Sequence, residues 1–306
     1  MNPPTVIEIG ALGSLGALIG EGGQAKVYRA PGITLPDVRG PLVFKRYRSG
    51  QSPPHGLHTV VAKRLRMDAR AMRSLDLRAA WPVRVVEDRG AVCGVLMPLI
   101  PDDYFRQRLL PSGESDRSLQ EIQHLLIDPA RAARLGMPAP TQWERIILCR
   151  DFAGAIHLLH LHGLVIGDVN PKNAVFRLTA RPTVMLVDCD AVRIRGNAAV
   201  VAQLDFPDWS PPDRQPSQAS DVYKFGLFVL RSLAPGTQAS VARDPRRLDH
   251  VLGGAGRRLL RQSLHPDPAA RPNALQWARY FESLLTGRHG VPAATTPRTN
   301  SWVPVT

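Results

Sequence analysis

The hydrophobic period changes once along this chain, near Pro101, and that change limits the fold more than any other feature. Before it, VIEIG, AKVYRA, PLVFKRY, WPVRVVED and AVCGVLMPL are short β-type runs punctuated by Gly and Pro, with one helical stretch near residues 57–80. After it, WERIILCRDFAGAIHLLHLHG places apolar residues at helical spacing and stops on His162 and Gly163, a good helix end. The pattern predicts an α+β chain in two lobes. Residues 1–100 form a small, mostly antiparallel, β-rich N-lobe, and residues 101–285 a larger helical C-lobe. The polar, Pro-containing segment 101–142 reads as a hinge plus a partly helical insertion. Residues 286–306, rich in Thr, Pro and small side chains, read as a flexible tail or linker.

At 306 residues and 44% hydrophobic content, each lobe can bury a core of its own. No run of about 18 apolar residues is present, and the start MNPPTVIEIG lacks the charged and apolar regions of a secretory signal. A cytoplasmic protein without a membrane partner is the expectation. Cys93, Cys149 and Cys189 are scattered with no CxxC spacing, which argues against a disulfide framework or a zinc site.

The formal charge is +13, and 34 of the 39 basic residues are arginine. They are spread along the chain without aromatic interleaving or a nucleic-acid motif, so no nucleic-acid partner is expected. With arginine the default cation, each of the five lysines marks a place where a compact ammonium is useful. Lys45 closes the apolar strand Leu42-Val43-Phe44. It follows the glycine-rich turn Gly20-Glu21-Gly22-Gly23, which lies between two β-type runs and leads on to Val27. Such a turn lets backbone N–H groups approach phosphate oxygens, and an ammonium one strand later can reach the same phosphates. A dinucleotide-binding turn is disfavoured, because AKVYRA alternates like a strand where that fingerprint needs a helix.

The most specific pattern is Gly167-Asp168-Val169-Asn170-Pro171-Lys172-Asn173, followed by Val184-Met185-Leu186-Val187-Asp188-Cys189-Asp190. Phosphoryl transfer needs a carboxylate beside the acceptor hydroxyl and oxygen ligands that hold Mg²⁺ across the phosphates. Asp168 suits the first task, and Asn173 and Asp188 the second.

On these residues the chain resembles the eukaryotic-type protein kinases. Within that superfamily it is similar to bacterial kinases found alongside von Willebrand A-domain proteins and PP2C-type phosphatases, whose GDxNxxN and DxD motifs are matched by GDVNPKN and DCD. The resemblance covers roughly residues 15–285. It implies a two-lobed protein-kinase-like fold, ATP with Mg²⁺ (or Mn²⁺), and transfer to Ser/Thr hydroxyls of a protein acceptor. It also implies an ATP-binding set of Gly20, Gly22, Gly23, Val27, Lys45, Met97 and Leu99, metal ligands Asn173 and Asp188, and catalytic roles for Asp168, Lys45 and Asn170. Asp213 of Ser210-Pro211-Pro212-Asp213 and Arg271 are expected to form a buried ion pair, and Asp221 to open a structural helix. A PP2C-type phosphatase and a von Willebrand A-domain protein are the implied partners.

Several positions depart from the pattern. Ile166-Gly167 replaces the His-Arg that precedes the catalytic aspartate, and 191–209 contains no Ser, Thr or Tyr, so switching by activation-loop phosphorylation is not expected. The nearest hydroxyls are Ser210 and Ser217. Asn170 stands where a lysine normally meets the transferring phosphate, and would supply a hydrogen bond without charge. Lys172 in place of a glutamate suggests acidic acceptor regions. No glutamate lies in 57–80 to pair with Lys45; Asp68 is the better placed of the two acids there, with a solvated helix face as its simpler explanation. Asp190 takes a position normally held by glycine. Two other readings remain open: a nucleotide-binding scaffold without catalysis, and a small-molecule phosphotransferase of the aminoglycoside-kinase kind.

Overall fold

The computed structural model describes residues 3–50, 56–109, 115–194, 207–213 and 216–287. Its N-terminal part is one six-stranded sheet built from β1 (Val6–Glu8), β2 (Leu18–Glu21), β3 (Ala25–Arg29), β4 (Leu42–Tyr47), β5 (Arg84–Asp88) and β6 (Ala91–Pro98), in the order β1-β5-β6-β4-β3-β2. All neighbours are antiparallel except β1 and β5. Alternation along β4 sends Leu42 and Phe44 into one cluster and Val43 and Tyr47 into another, so Lys45 shares a face with Val43 and Tyr47. Behind this stretch, Gly94 of β6 lets the strands close up: a Cβ there would lie 2.4 Å from both the Lys45 carbonyl oxygen and the Phe44 ring.

The helical stretch expected at 57–80 is two helices, α1 (Leu57–Leu65) and α2 (Ala69–Asp76). Asp68 separates them as the N-cap of α2, its carboxylate accepting from the Arg70 and Ala71 N–H groups at 2.8 Å. Arg64, in the last turn of α1, is fully buried and gripped by Asp37 at 2.7 Å and Asp76 at 2.7 Å. Asp37 also pairs with the buried Arg84. Burial alone would raise the Asp37 carboxyl, but hydrogen bonds from Arg84 and Arg64 outweigh it and hold the group below the ordinary carboxylate range.

Segment 101–142 is partly helical and also carries a strand pair that the sequence did not announce. A 3-10 turn at Asp102–Tyr104 leads into a hairpin of β7 (Phe105–Leu109) and β8 (Ser115–Leu119), and a second at Ile122–Leu126 leads on to the short α3 (Pro129–Arg134). Beyond it α4 (Gln142–Leu161) opens with a Thr141/Glu144 capping box and ends at His162, with Gly163 at φ 71°, where a Cβ would be strained. The chain continues through β9 (Leu164–Val165), the antiparallel pair β10 (Ala174–Arg177) and β11 (Thr183–Leu186), and β12 (Arg193–Ile194), which pairs with β9. Helices α5 (Gln218–Leu233), α6 (Gly254–Ser263) and α7 (Ala274–Leu285) complete the second part. Its core is aromatic: Phe152 of α4 meets Phe225 and Phe228 of α5 edge-on, and Phe225 meets Trp277 of α7.

A β-rich first part and a helical second part thus make a mixed α+β, two-lobed kinase-like fold. Residues 195–206, most of the segment without hydroxyls, and the expected tail from 288 onward lie outside the described residues. No helix among the described residues is long and apolar enough to cross a membrane.

Candidate active site

Lys45, from the sheet, bonds the Asp188 turn after β11, and a backbone bond ties that turn to the loop after β9 that carries Asp168 and Asn173. The Lys45 ammonium lies 3.1 Å from Asp188 Oδ1 and 2.9 Å from the Asp190 carboxylate. Burial would lower its pKa, but the two carboxylates more than offset this, so the lysine titrates above its ordinary value and stays charged. Tyr47, on the same strand face, donates its hydroxyl to Asp190 Oδ2 at 2.7 Å. Burial and that neighbouring carboxylate raise the phenol far above its normal range.

Asp188 follows β11 with φ 55°, a left-handed conformation costly for a non-glycine residue. Its side chain is 59% exposed, whereas that of Asp190 is 6% exposed. Two carboxylates separated by one residue therefore face different surroundings: one is open to a cation, the other is sealed against Lys45 and Tyr47. The Val187 N–H donates to the Asn173 carbonyl at 2.9 Å, which ties the Asp188 turn to the loop carrying Asp168. In that loop Asn173 Nδ2 donates to Asp168 Oδ2 at 2.6 Å. With its N–H₂ turned to Asp168, Asn173 has its amide oxygen as the atom that could ligate a metal.

Asn170 lies inside the same loop. It is 2% exposed, and its Oδ1 accepts from the Lys172 and Asn173 N–H groups at 2.8 and 3.0 Å. This side-chain turn shapes the loop through the Asn170 amide oxygen. Lys172 is exposed.

Two buried groups of α5 hold the loop from beneath. Asp221, fully buried, accepts from the Ile166 and Gly167 N–H groups at 2.8 Å each and lies 3.0 Å from His160 Nε2. Lys224 donates to the Gly167 carbonyl at 2.7 Å. The sequence reasoning did not single out Lys224, although its rarity among the basic residues was a usable signal. Tyr47 was missed as well, and period-2 alternation from Lys45 could have found it. Asp190 was noticed only as a departure from glycine.

Val27 pairs directly with Lys45 across β3 and β4. It packs with Val43, Met97, Leu99 and Val187 in one apolar cluster, which gives a flat heterocycle a surface next to the lysine. At Gly22 and Gly23 a Cβ would meet nothing within 4 Å, so the chain's own packing does not demand glycine there. Asp213 pairs with Arg271 at 2.7 Å, and Arg271 also donates to the His265 and Pro266 carbonyls, locking 210–213 to the base of the helical part. Asp68 has no part in the site, since its carboxylate is spent on the α2 cap.

Among the described residues no three His, Cys, Asp or Glu side chains assemble a metal cage. Mg²⁺ rarely uses one; it takes one or two protein oxygens and completes its shell with phosphates and water. Asp188 and Asn173 fit that donor set.

No family model matches the chain. It is similar to a serine/threonine-protein kinase-like protein of Arabidopsis thaliana, 26% identical over 162 residues, which are 46% of this chain and 44% of that protein. It is also similar to Protein kinase YegI of Escherichia coli strain K12, 27% identical over 210 residues, or 67% of this chain and 28% of YegI. YegI of Escherichia coli O157:H7 is 26% identical over 241 residues, 75% of this chain and 32% of that protein. The chain thus spans less than half the length of the curated relatives it matches. These distant similarities support a place in the protein kinase superfamily and a kinase-like function.

Proposed function

We propose that this chain is an ATP-dependent protein kinase that transfers the γ-phosphoryl group to Ser/Thr hydroxyls. The observation that carries the reading is the bonding of Lys45, from the sheet, to the Asp188 turn, which is itself bonded to the Asp168–Asn173 loop. Separate segments converge on the three tasks the reaction requires: holding phosphates, holding the cation and receiving a proton. Mg²⁺, when bound, neutralises charge on the phosphates. Val27, Met97 and Leu99 would seat the base, Gly20, Gly22 and Gly23 cover the phosphates, and Lys45 contact the α and β phosphates. Asp188 and Asn173 would hold the metal. Asp168 orients the acceptor hydroxyl and takes its proton as the oxygen–phosphorus bond forms and ADP departs. Exposed Lys172 beside this loop favours an acidic acceptor region. Partnership with a PP2C-type phosphatase and a von Willebrand A-domain protein rests on the GDVNPKN and DCD resemblance.

The test is transfer of label from γ-labelled ATP and Mg²⁺ to acidic and basic protein acceptors, with identification of the phosphorylated residue type. Wild type labels Ser or Thr, preferentially in acidic acceptors, and Asp188→Ala lowers transfer by at least about a hundredfold. Equal labelling by Asp188→Ala, or transfer only to small molecules, contradicts the proposal.

A further inference from the structure

The helix nearest Lys45 offers it no acid. Helix α1 reads LHTVVAKRL, without Asp or Glu, and packs against β5 and the Cys189–Ala191 turn. Its last turn is anchored through buried Arg64 to Asp37 and Asp76, a fixed attachment away from the site. The carboxylate that meets Lys45 in its place comes from the opposite side of the seam. Asp190 is sealed from solvent, lies 2.9 Å from the Lys45 ammonium, and receives the Tyr47 hydroxyl at 2.7 Å. Both donors are on β4, two residues apart on one face, so a single carboxylate is held by a two-point grip from the sheet. Asp188 also lies 3.1 Å from the ammonium, but its side chain is 59% exposed and so remains open to solvent and to a cation.

We infer that Asp190 is the positioning residue for Lys45, acting from the DCD segment with Tyr47 as its orienting donor, in place of an acid on the N-lobe helix. The inference rests on the phosphotransfer reading above. The Asp190–Lys45–Tyr47 clamp joins the sheet to the segment that bears Asp188, so the lysine is aligned whenever that segment is seated. No swing of α1 is needed, and its Arg64 anchor is consistent with a stationary helix.

Tyr47→Phe gives the cleanest test, because it removes one hydrogen bond, leaves every carboxylate and cannot change metal ligation. Steady-state kinetics and calorimetric MgATP titration would be run on the full chain as wild type, Tyr47→Phe, Asp190→Ala, Asp190→Glu and the Tyr47→Phe/Asp190→Ala double variant, with thermal melts confirming the fold. A hydrogen bond to a charged group is strong enough for Tyr47→Phe to lower kcat about tenfold, while KM and Kd for MgATP move less than about threefold. Asp190→Ala loses more, Asp190→Glu regains part of the loss, and the double variant is no worse than Asp190→Ala, because the two side chains act as one unit. A rise in kcat for Tyr47→Phe or Asp190→Ala overturns the inference, since the clamp would then be a latch that withholds Lys45. Full activity in Tyr47→Phe beside an inactive Asp190→Ala overturns it too, because Asp190 would be working without the clamp. Either result leaves the phosphotransfer reading standing; a wild-type chain that binds no MgATP ends both.

Discussion

Replacing Asp168 by asparagine lowers kcat by about 10²–10⁴-fold while the Kd for MgATP changes less than about threefold. The split follows from the geometry. Asp168 lies in the loop, hydrogen-bonded to Asn173, while Lys45 is on β4 and Gly22 and Gly23 are in the turn between β2 and β3, the groups proposed to meet the phosphates. An asparagine oxygen can still accept from Asn173 Nδ2, so the loop keeps its shape and only the proton acceptor is lost. Single-turnover transfer on a nucleotide-saturated enzyme reads the effect directly. A kcat within tenfold of wild type would mean that Asp168 is not the base and that its loop serves another purpose.

Replacing Asp221 by alanine destabilises the folded chain by about 3–5 kcal/mol and abolishes transfer, although Asp221 touches no substrate. Its two carboxylate oxygens satisfy the N–H groups of Ile166 and Gly167, immediately before Asp168, and one of them also meets His160. Alanine leaves those buried donors unpaired, and each orphan costs about 1–3 kcal/mol. Because Asp168 is carried by the loop these bonds fix, stability and catalysis fall together. Urea denaturation midpoints measure the first and the transfer assay the second. Asn, which keeps one acceptor, lies between Asp and Ala. A loss below about 1 kcal/mol for Asp221→Ala would show that the loop is held by other contacts, Lys224 to the Gly167 carbonyl foremost.

Local chemistry made much of this structure readable before any coordinates. The run PLVFKRY is legible as a short apolar strand, and once it is a strand period 2 puts Lys45 on the face of Val43 and Tyr47. Helix α4 starts on Thr141-Gln142-Trp143-Glu144 and stops before Gly163, both ends written in capping residues. The Asp213–Arg271 pair came from motif resemblance and is present at 2.7 Å.

What escaped the sequence depends on non-local closure or on mixed patterns. Asp190 finds Lys45 across 145 positions, and no local rule ranks it above its neighbour Asp188. The β7–β8 hairpin hides because FRQRL and SDRSL are rich in polar and charged residues and lack the β-branched composition of strands. Asp68 was weighed as a partner for Lys45 although Asp immediately before Ala-Arg-Ala-Met is an ordinary N-cap signal; the break between α1 and α2 was therefore legible. Asn170 was read by analogy with a lysine, yet a short amide two residues ahead of backbone donors folds onto its own loop.

In the proposed kinase, Lys45 and Asp188 serve one nucleotide. Calorimetric titration of the chain with ATP, with and without Mg²⁺, tests this most directly. One site per chain, strengthened by Mg²⁺ in wild type, weakened by Lys45→Met and stripped of its Mg²⁺ dependence by Asp188→Asn, is the predicted result. Binding that is absent in wild type, or unchanged in both variants, would contradict it.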